Sequence, residues 1–190
     1  MDNHLVIDNF LNDFESFRSH CDGVNYSGVV NDVDGVFYPG VSDDIPSSVA
    51  AEVVKNLNER FGVEIIPGDM FLRLSVDGVH APHQAHTDVT MGQYGMMIYL
   101  NRIEDCLGGT SFVIHNEIGL CENPVNEKQQ LVWERDNNIN NMWSVLGICP
   151  MLPNRACIFD TNKMHRSEPE GGFGNSAEDG RLVLVFFFSL

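Results

Sequence analysis

The sequence predicts a mainly β chain with supporting helices, folded as a double-stranded β-helix (jelly roll). Three observations carry that expectation. Short strand-like runs recur at 70–76, 94–101, 110–115, 145–149, 155–160 and 181–188, with turn residues between them. Helix and strand do not alternate regularly, which argues against a doubly wound α/β sheet. The number of strands suits two sheets packed face to face, with a small-ligand site in the mouth between them. At 190 residues the chain reads as one domain. Within it, the strand-rich part, 70–190, is expected to be the jelly-roll core, and residues 1–65 to hold the strand and helices that support it.

The elements follow in order. Leu5-Val6-Ile7 reads as a short strand. A helix is expected over 12–21, with Phe14, Phe17 and Cys21 on one face. Residues 22–45, rich in Gly, Asp and Asn and including Tyr38-Pro39-Gly40, read as a long surface loop. Pro46 opens a second helix that Gly62 stops, with Val49, Val53, Leu57 and Phe61 at helical spacing. In the first core strand Met70, Leu72 and Leu74 alternate with Phe71, Arg73 and Ser75, so one face is apolar. Residues 116–144 form an insertion between strands, helical over 127–135 and carrying Trp133 and Trp143. Long insertions beside a site are usually functional, and this one is expected to be a substrate lid. The last run, Leu182 to Phe188, is apolar enough to be a buried strand. Arg181 leads it and must reach solvent or find an anion.

Composition narrows the function. The net charge is −16, and residues 1–50 hold nine acidic residues against the single base Arg18. Such a surface repels a phosphate backbone, so no nucleic-acid partner is expected. The acidity reads as a solvated, solubilising surface, with attraction for a cationic substrate as the sharper reading. No apolar run is long enough for a transmembrane helix, and the N-terminus lacks the pattern of a secretory signal. Five scattered cysteines without a CxxC pair fit a reducing cytoplasm. Nothing in the composition fixes the oligomeric state.

The chemistry centres on His86-Thr87-Asp88. In an extended segment residues i and i+2 point the same way, so His86 and Asp88 can reach one ion while Thr87 faces away. A third ligand must come from elsewhere, and His165 follows the apolar run 156–159 as a strand enters a turn. Two histidines and one carboxylate on one face of a metal leave open positions and favour Fe(II) and oxygen chemistry. His80 and His83 read as loop residues, since the partners of a structural zinc site are missing. His115 ends a strand and is expected to make a hydrogen bond. Arg73, Arg155 and Arg166 compete with Arg181 as an anion anchor. Arg155 reads as solvated, and Arg166, next to His165, points away from the metal if that segment is extended.

The ordered set His86, Asp88, His165 and Arg181 resembles the motif of the iron(II)- and 2-oxoglutarate-dependent dioxygenases, most closely their prolyl-4-hydroxylase-like branch. Tyr94 to Asn101, ending in Tyr99-Leu100-Asn101, and the Gly108-Gly109-Thr110-Ser111-Phe112 turn resemble further parts of that family. The likeness covers roughly residues 70–190. It implies Fe(II) held by His86, Asp88 and His165, with no catalytic residue beyond these ligands. It also implies 2-oxoglutarate anchored by Arg181, with Tyr99 a candidate second donor, and ascorbate as a supporting reductant. The implied reaction hydroxylates a small-molecule or peptide substrate (a peptidyl or free amino acid, or a small metabolite) and releases succinate and CO2. Asp88 argues against a halogenase, whose relatives lack a carboxylate there. Two features depart from the pattern. Sixteen positions separate His165 from Arg181, which a Gly-rich loop absorbs, and the residues after Arg181 offer no hydroxyl, so one must come from Tyr99 or elsewhere. The alternative reading is a non-catalytic or cupin-like metal-binding jelly-roll module.

Overall fold

The computed structural model of the chain describes residues 4–31, 35–79 and 81–190. In chain order they form β1 (Leu5–Ile7), α1 (Phe14–Asp22), β2 (Val29–Val30), β3 (Phe37–Tyr38), β4 (Val41–Ser42), α2 (Ser47–Phe61), β5 (Ile66–Ser75), β6 (Tyr94–Tyr99), β7 (Gly109–His115), α3 (Glu127–Asp136), β8 (Trp143–Pro150), β9 (Ala156–Asp160), β10 (His165–Glu168) and β11 (Arg181–Ser189). The larger sheet has the order β1-β9-β6-β11-β5-β4, the smaller β10-β7-β8, and β2 pairs with β3. Among the described residues no helix is long and apolar enough to cross a membrane.

Strand parity sets the layers. On β11, Leu182, Leu184, Phe186 and Phe188 join Phe14, Phe17, Val53 and Leu57 of the two N-terminal helices in one core. The opposite face of the large sheet contributes Met97, Tyr99, Cys157, Phe159 and Val183 to a second core, which the smaller sheet closes with Phe112 and Cys149. Both faces of β11 are therefore covered, which explains its near-continuous apolar run. Leu72 is buried on the helix side, flanked by partly buried Met70 and Leu74. Parity turns Phe71, Arg73 and Ser75 toward the smaller sheet.

Local chemistry fixes the boundaries. The Asp13 side chain caps α1 by accepting from the Ser16 N–H. Gly62 ends α2 in the left-handed conformation at φ 68°. Gly108, at φ 66°, lets the entry to β7 approach the end of β10, where an added Cβ would lie 2.2 Å from the Glu168 carbonyl oxygen.

The structure departs from expectation in three places. The segment 22–45 contains β2, β3 and β4, and β4 extends the large sheet by pairing Val41 with Arg73; residues 32–34 lie outside the described set. β5 begins four residues earlier than the alternation suggested, because Ile66 and Pro67 pair with Ser189 and Phe188 beyond a bulge in β11. His165 does not merely follow a strand into a turn. It begins β10, a polar four-residue strand that has no sequence periodicity of its own and exists through its pairing with β7.

Candidate metal centre

Backbone pairing brings the first three side chains together. The His86 N–H donates to the His165 carbonyl at 3.0 Å, and the His165 N–H returns the bond to the His86 carbonyl at 2.9 Å. This makes an isolated antiparallel bridge with the two histidines directly opposed. Two residues on, the Asp88 N–H donates to the Thr161 carbonyl at 2.9 Å. His86 and Asp88 thus share a side, and Thr87 turns away to donate to Asn123 Oδ1 at 3.1 Å.

Each imidazole is oriented from behind. Nδ1 of His86 lies 2.9 Å from the Gln84 carbonyl, and Nδ1 of His165 lies 2.9 Å from the Lys163 carbonyl. A ring that donates Nδ1–H to a carbonyl keeps the Nε2 lone pair free for a metal. Those Nε2 atoms lie 3.7 Å (His86) and 3.3 Å (His165) from Asp88 oxygens. One ligand atom from each residue lies within 4.8 Å of the others. Ligands about 2.1 Å from one ion at right angles sit about 3 Å apart, so the three groups could share a single ion by drawing closer together. Burial, reinforced by repulsion from His165, pushes His86 down to about 4, which keeps it in the neutral, ligating form. For Asp88 burial acts upward, but His86, His165 and Arg73 outweigh it and hold the carboxyl below the usual range.

Arg181 occupies the same interior from the head of β11. Its side chain is 3% exposed. Nη2 makes a long 3.5 Å contact to Thr110 Oγ1, and the buried Nε has no partner. Among the described residues no carboxylate lies within salt-bridge distance of it. Burial pushes the guanidinium down, with Tyr99 and Cys157 acting against that. A buried cation without an anion is costly, and an anion beside it would relieve that cost. Asn101 fixes its backbone from both sides, accepting from the Leu182 N–H at 2.9 Å and donating to the Gly180 carbonyl at 2.7 Å. Arg18, buried in α1, holds the preceding loop by donating to the Ala177 carbonyl at 2.6 Å.

Tyr99 is fully buried beside this pocket. Its hydroxyl lies 2.9 Å from Thr110 Oγ1 and 3.0 Å from the Cys149 carbonyl. The hydroxyl that contacts Arg181 is therefore that of Thr110 on β7, with Tyr99 one step behind it. In the sequence Thr110 stands out only as part of the Gly108–Phe112 turn. Its inward direction depends on how the smaller sheet covers the larger.

The rival arginines separate. Arg155 is not simply solvated: Nε and Nη2 pair with the two Asp8 carboxylate oxygens at 2.6 and 3.0 Å. Arg166 is buried, and its Nε donates to Glu168 at 2.9 Å. Arg73 is different. It lies opposite Val183 on β5, close enough to Arg181 and Asp88 for both to act on its charge. His115 makes the expected hydrogen bond, with Nε2 3.0 Å from Asp136 Oδ2. His83 packs against the Trp133 ring at 5.3 Å, and His80 lies outside the described residues.

The 116–144 segment, expected as a lid, is tied to the segments that carry the histidines. Trp133 Nε1 donates to the Ala85 carbonyl at 2.8 Å, and the Ala85 N–H donates to the Asn137 carbonyl at 3.0 Å. Met164, just before His165, donates its N–H to the Cys121 carbonyl at 2.9 Å. Ala85, Val113, Leu120, Trp143 and Met164 form a third small core beneath these bonds. The segment clamps the centre from behind.

The profile of a family described as "Family of unknown function (DUF6445)" matches residues 2–188. No curated protein sequence matches the chain. Solved structures share its fold at low identity. HygX from Streptomyces hygroscopicus with iron bound is 14% identical, with TM-score 0.56 over 98% of this chain and 81% of that one. A prolyl hydroxylase from Trichoplax adhaerens, in complex with a hypoxia inducible factor oxygen degradation domain peptide fragment, is 13% identical, with TM-score 0.53 over 99% and 84%. EctD from S. alaskensis with 2-oxoglutarate and 5-hydroxyectoine is 16% identical, with TM-score 0.51 over 98% and 72%. The jelly roll expected from the sequence is the fold these proteins have in common with it.

Proposed function

We propose that this chain, which belongs to the family of unknown function DUF6445, is an Fe(II)- and 2-oxoglutarate-dependent dioxygenase that hydroxylates its substrate. One observation carries the reading: three convergent ligand atoms stand in the same interior as a buried arginine that has no anion. The first set suits an ion with open positions, and the second suits the far carboxylate of a dicarboxylic acid.

His86, Asp88 and His165 would hold the iron, with the two Nδ1–H bonds fixing the tautomers and ring planes. Arg181 would pair the distal carboxylate of 2-oxoglutarate, supported by the Thr110 hydroxyl and, through it, by Tyr99. When bound, iron(II) and 2-oxoglutarate would supply the oxidising chemistry with dioxygen as the oxidant, one oxygen atom passing to the keto acid as it becomes succinate and CO2 and the other to a substrate C–H bond, which becomes C–OH. The apolar lining of Met97, Phe112, Phe159 and Val183 excludes water from that chemistry. No catalytic side chain beyond the three ligands is needed for this reading. A peptidyl or free amino acid and a small metabolite are the substrate classes this reading admits.

The test is succinate formation from 2-oxoglutarate with Fe(II) and ascorbate, together with 2-oxoglutarate binding by the metal-loaded protein. Both are expected. Metal binding with neither 2-oxoglutarate binding nor succinate would favour a non-catalytic metal-binding jelly roll instead.

A further inference from the structure

Arg73 is a second cation in this interior, and the roles proposed so far leave it unused. It lies on the inward face of β5, directly opposite Val183, which in turn lies opposite Tyr99 on β6. Two residues further, the next inward position, Ser75 lies opposite Arg181. Arg73 therefore sits one inward step from Arg181, within electrostatic reach of both Arg181 and Asp88. The Tyr38 ring lies 6.0 Å from the guanidinium carbon. Among the described residues no carboxylate lies within salt-bridge distance of Arg73, unlike Arg155 and Arg166. Its side chain is only partly covered, so a ligand can reach it.

A charge count points the same way. A divalent ion, Arg73 and Arg181 outweigh Asp88 and a dianionic keto acid by one positive charge. An uncompensated charge in a largely buried site is unfavourable, and a further anionic group would relieve it. We propose that Arg73 forms a second carboxylate-binding site between the metal-ligand set and Arg181. The inference rests on the dioxygenase reading. It narrows the ligands to acids whose carboxylate meets the guanidinium fork, a geometry that arginine provides and lysine does not. That carboxylate comes either from the prime substrate or from the metal-proximal end of the keto acid.

The experiment uses the full chain loaded with Mn(II), compared with Arg73→Gln and Arg73→Lys. Calorimetry measures 2-oxoglutarate affinity. Thermal shift on the 2-oxoglutarate-saturated protein then compares small carboxylic and amino acids with their primary amides. The expected result is stabilisation by acids over amides, absent in Arg73→Gln and partly restored in Arg73→Lys, with 2-oxoglutarate affinity little changed. That assigns the carboxylate to the prime substrate. A loss of about thirtyfold or more in 2-oxoglutarate affinity in Arg73→Gln, the lower end for removing one partner of a buried charge pair, assigns it to the keto acid. Equal response to acids and amides in the unsubstituted protein, with 2-oxoglutarate affinity unaffected by Arg73→Gln, overturns the proposal. If the unsubstituted protein binds no 2-oxoglutarate, the dioxygenase reading fails. The acid–amide comparison, run without the keto acid, then tests Arg73 by itself: an acid preference lost in Arg73→Gln supports the site, and its absence overturns it.

Discussion

Arg181 and Arg155 are both arginines near strand starts, yet only one has an acid beside it. Arg155 meets Asp8, whereas Arg181 has a buried Nε with no partner. Breaking a buried charge pair costs about 3–5 kcal/mol, so Arg181→Ala should weaken 2-oxoglutarate about a hundredfold or more while metal stoichiometry holds. Isothermal titration of the metal-loaded protein measures both. Arg166→Ala and Arg155→Ala serve as controls, and Arg73 does not, because it shares the interior with Arg181. His86→Ala and Asp88→Ala should each abolish stoichiometric iron binding and succinate formation, checked by metal analysis of the dialysed protein. At this scale the sequence was legible where strand parity alone decides direction, as for His86, Asp88 and the inward set headed by Arg181. It was silent on Thr110, whose hydroxyl reaches Arg181 across two sheets, and on Asp8, which is 147 residues from its partner.

The element that most changes its meaning between sequence and structure is α3. Its weak amphipathicity gives no sign of what it packs against, and a loop-rich insertion between strands suggests mobility. The structure instead ties its C-terminal end to the segment carrying His86 through Trp133 and Asn137. Trp133→Phe removes the donor and leaves the Ala85 carbonyl without it. A stability loss of about 1 kcal/mol is expected in chemical denaturation, with weakened iron binding as a second readout. The same end holds a pH-dependent contribution. The Arg135 hydrogen bond, aided by His115 and opposed by burial, keeps the Asp136 carboxyl below the usual aspartate range. The unfolded chain, with aspartate near about 3.9, then takes up that proton more readily than the folded one. The contribution is complete above that value and disappears as pH falls through the lower folded one. The difference in Tm between the natural chain and Asp136→Asn should stay constant from neutral pH to about 5 and shrink below about 4.

Across the whole molecule, the layers were readable because the central strands β9, β6 and β11 of the large sheet have one face toward the helices and one toward the smaller sheet. Met96 and Ile98 face one way, Met97 and Tyr99 the other, and because both faces are covered these strands read as near-continuous apolar runs. β4 and β10 escaped because neither has an apolar pattern of its own; each is a strand only through its neighbour. The bridge between His86 and His165 belongs to that second kind, and it bears on how an ion would enter a site of the proposed kind. The two imidazoles are set opposite each other by main-chain bonds, so on the proposed reading an ion would enter ligands that the backbone has already aligned. Loading then follows supply. Zinc and copper generally bind nitrogen and oxygen ligands more tightly than ferrous iron does, so a preparation's metal content would record which ions the host cell left free.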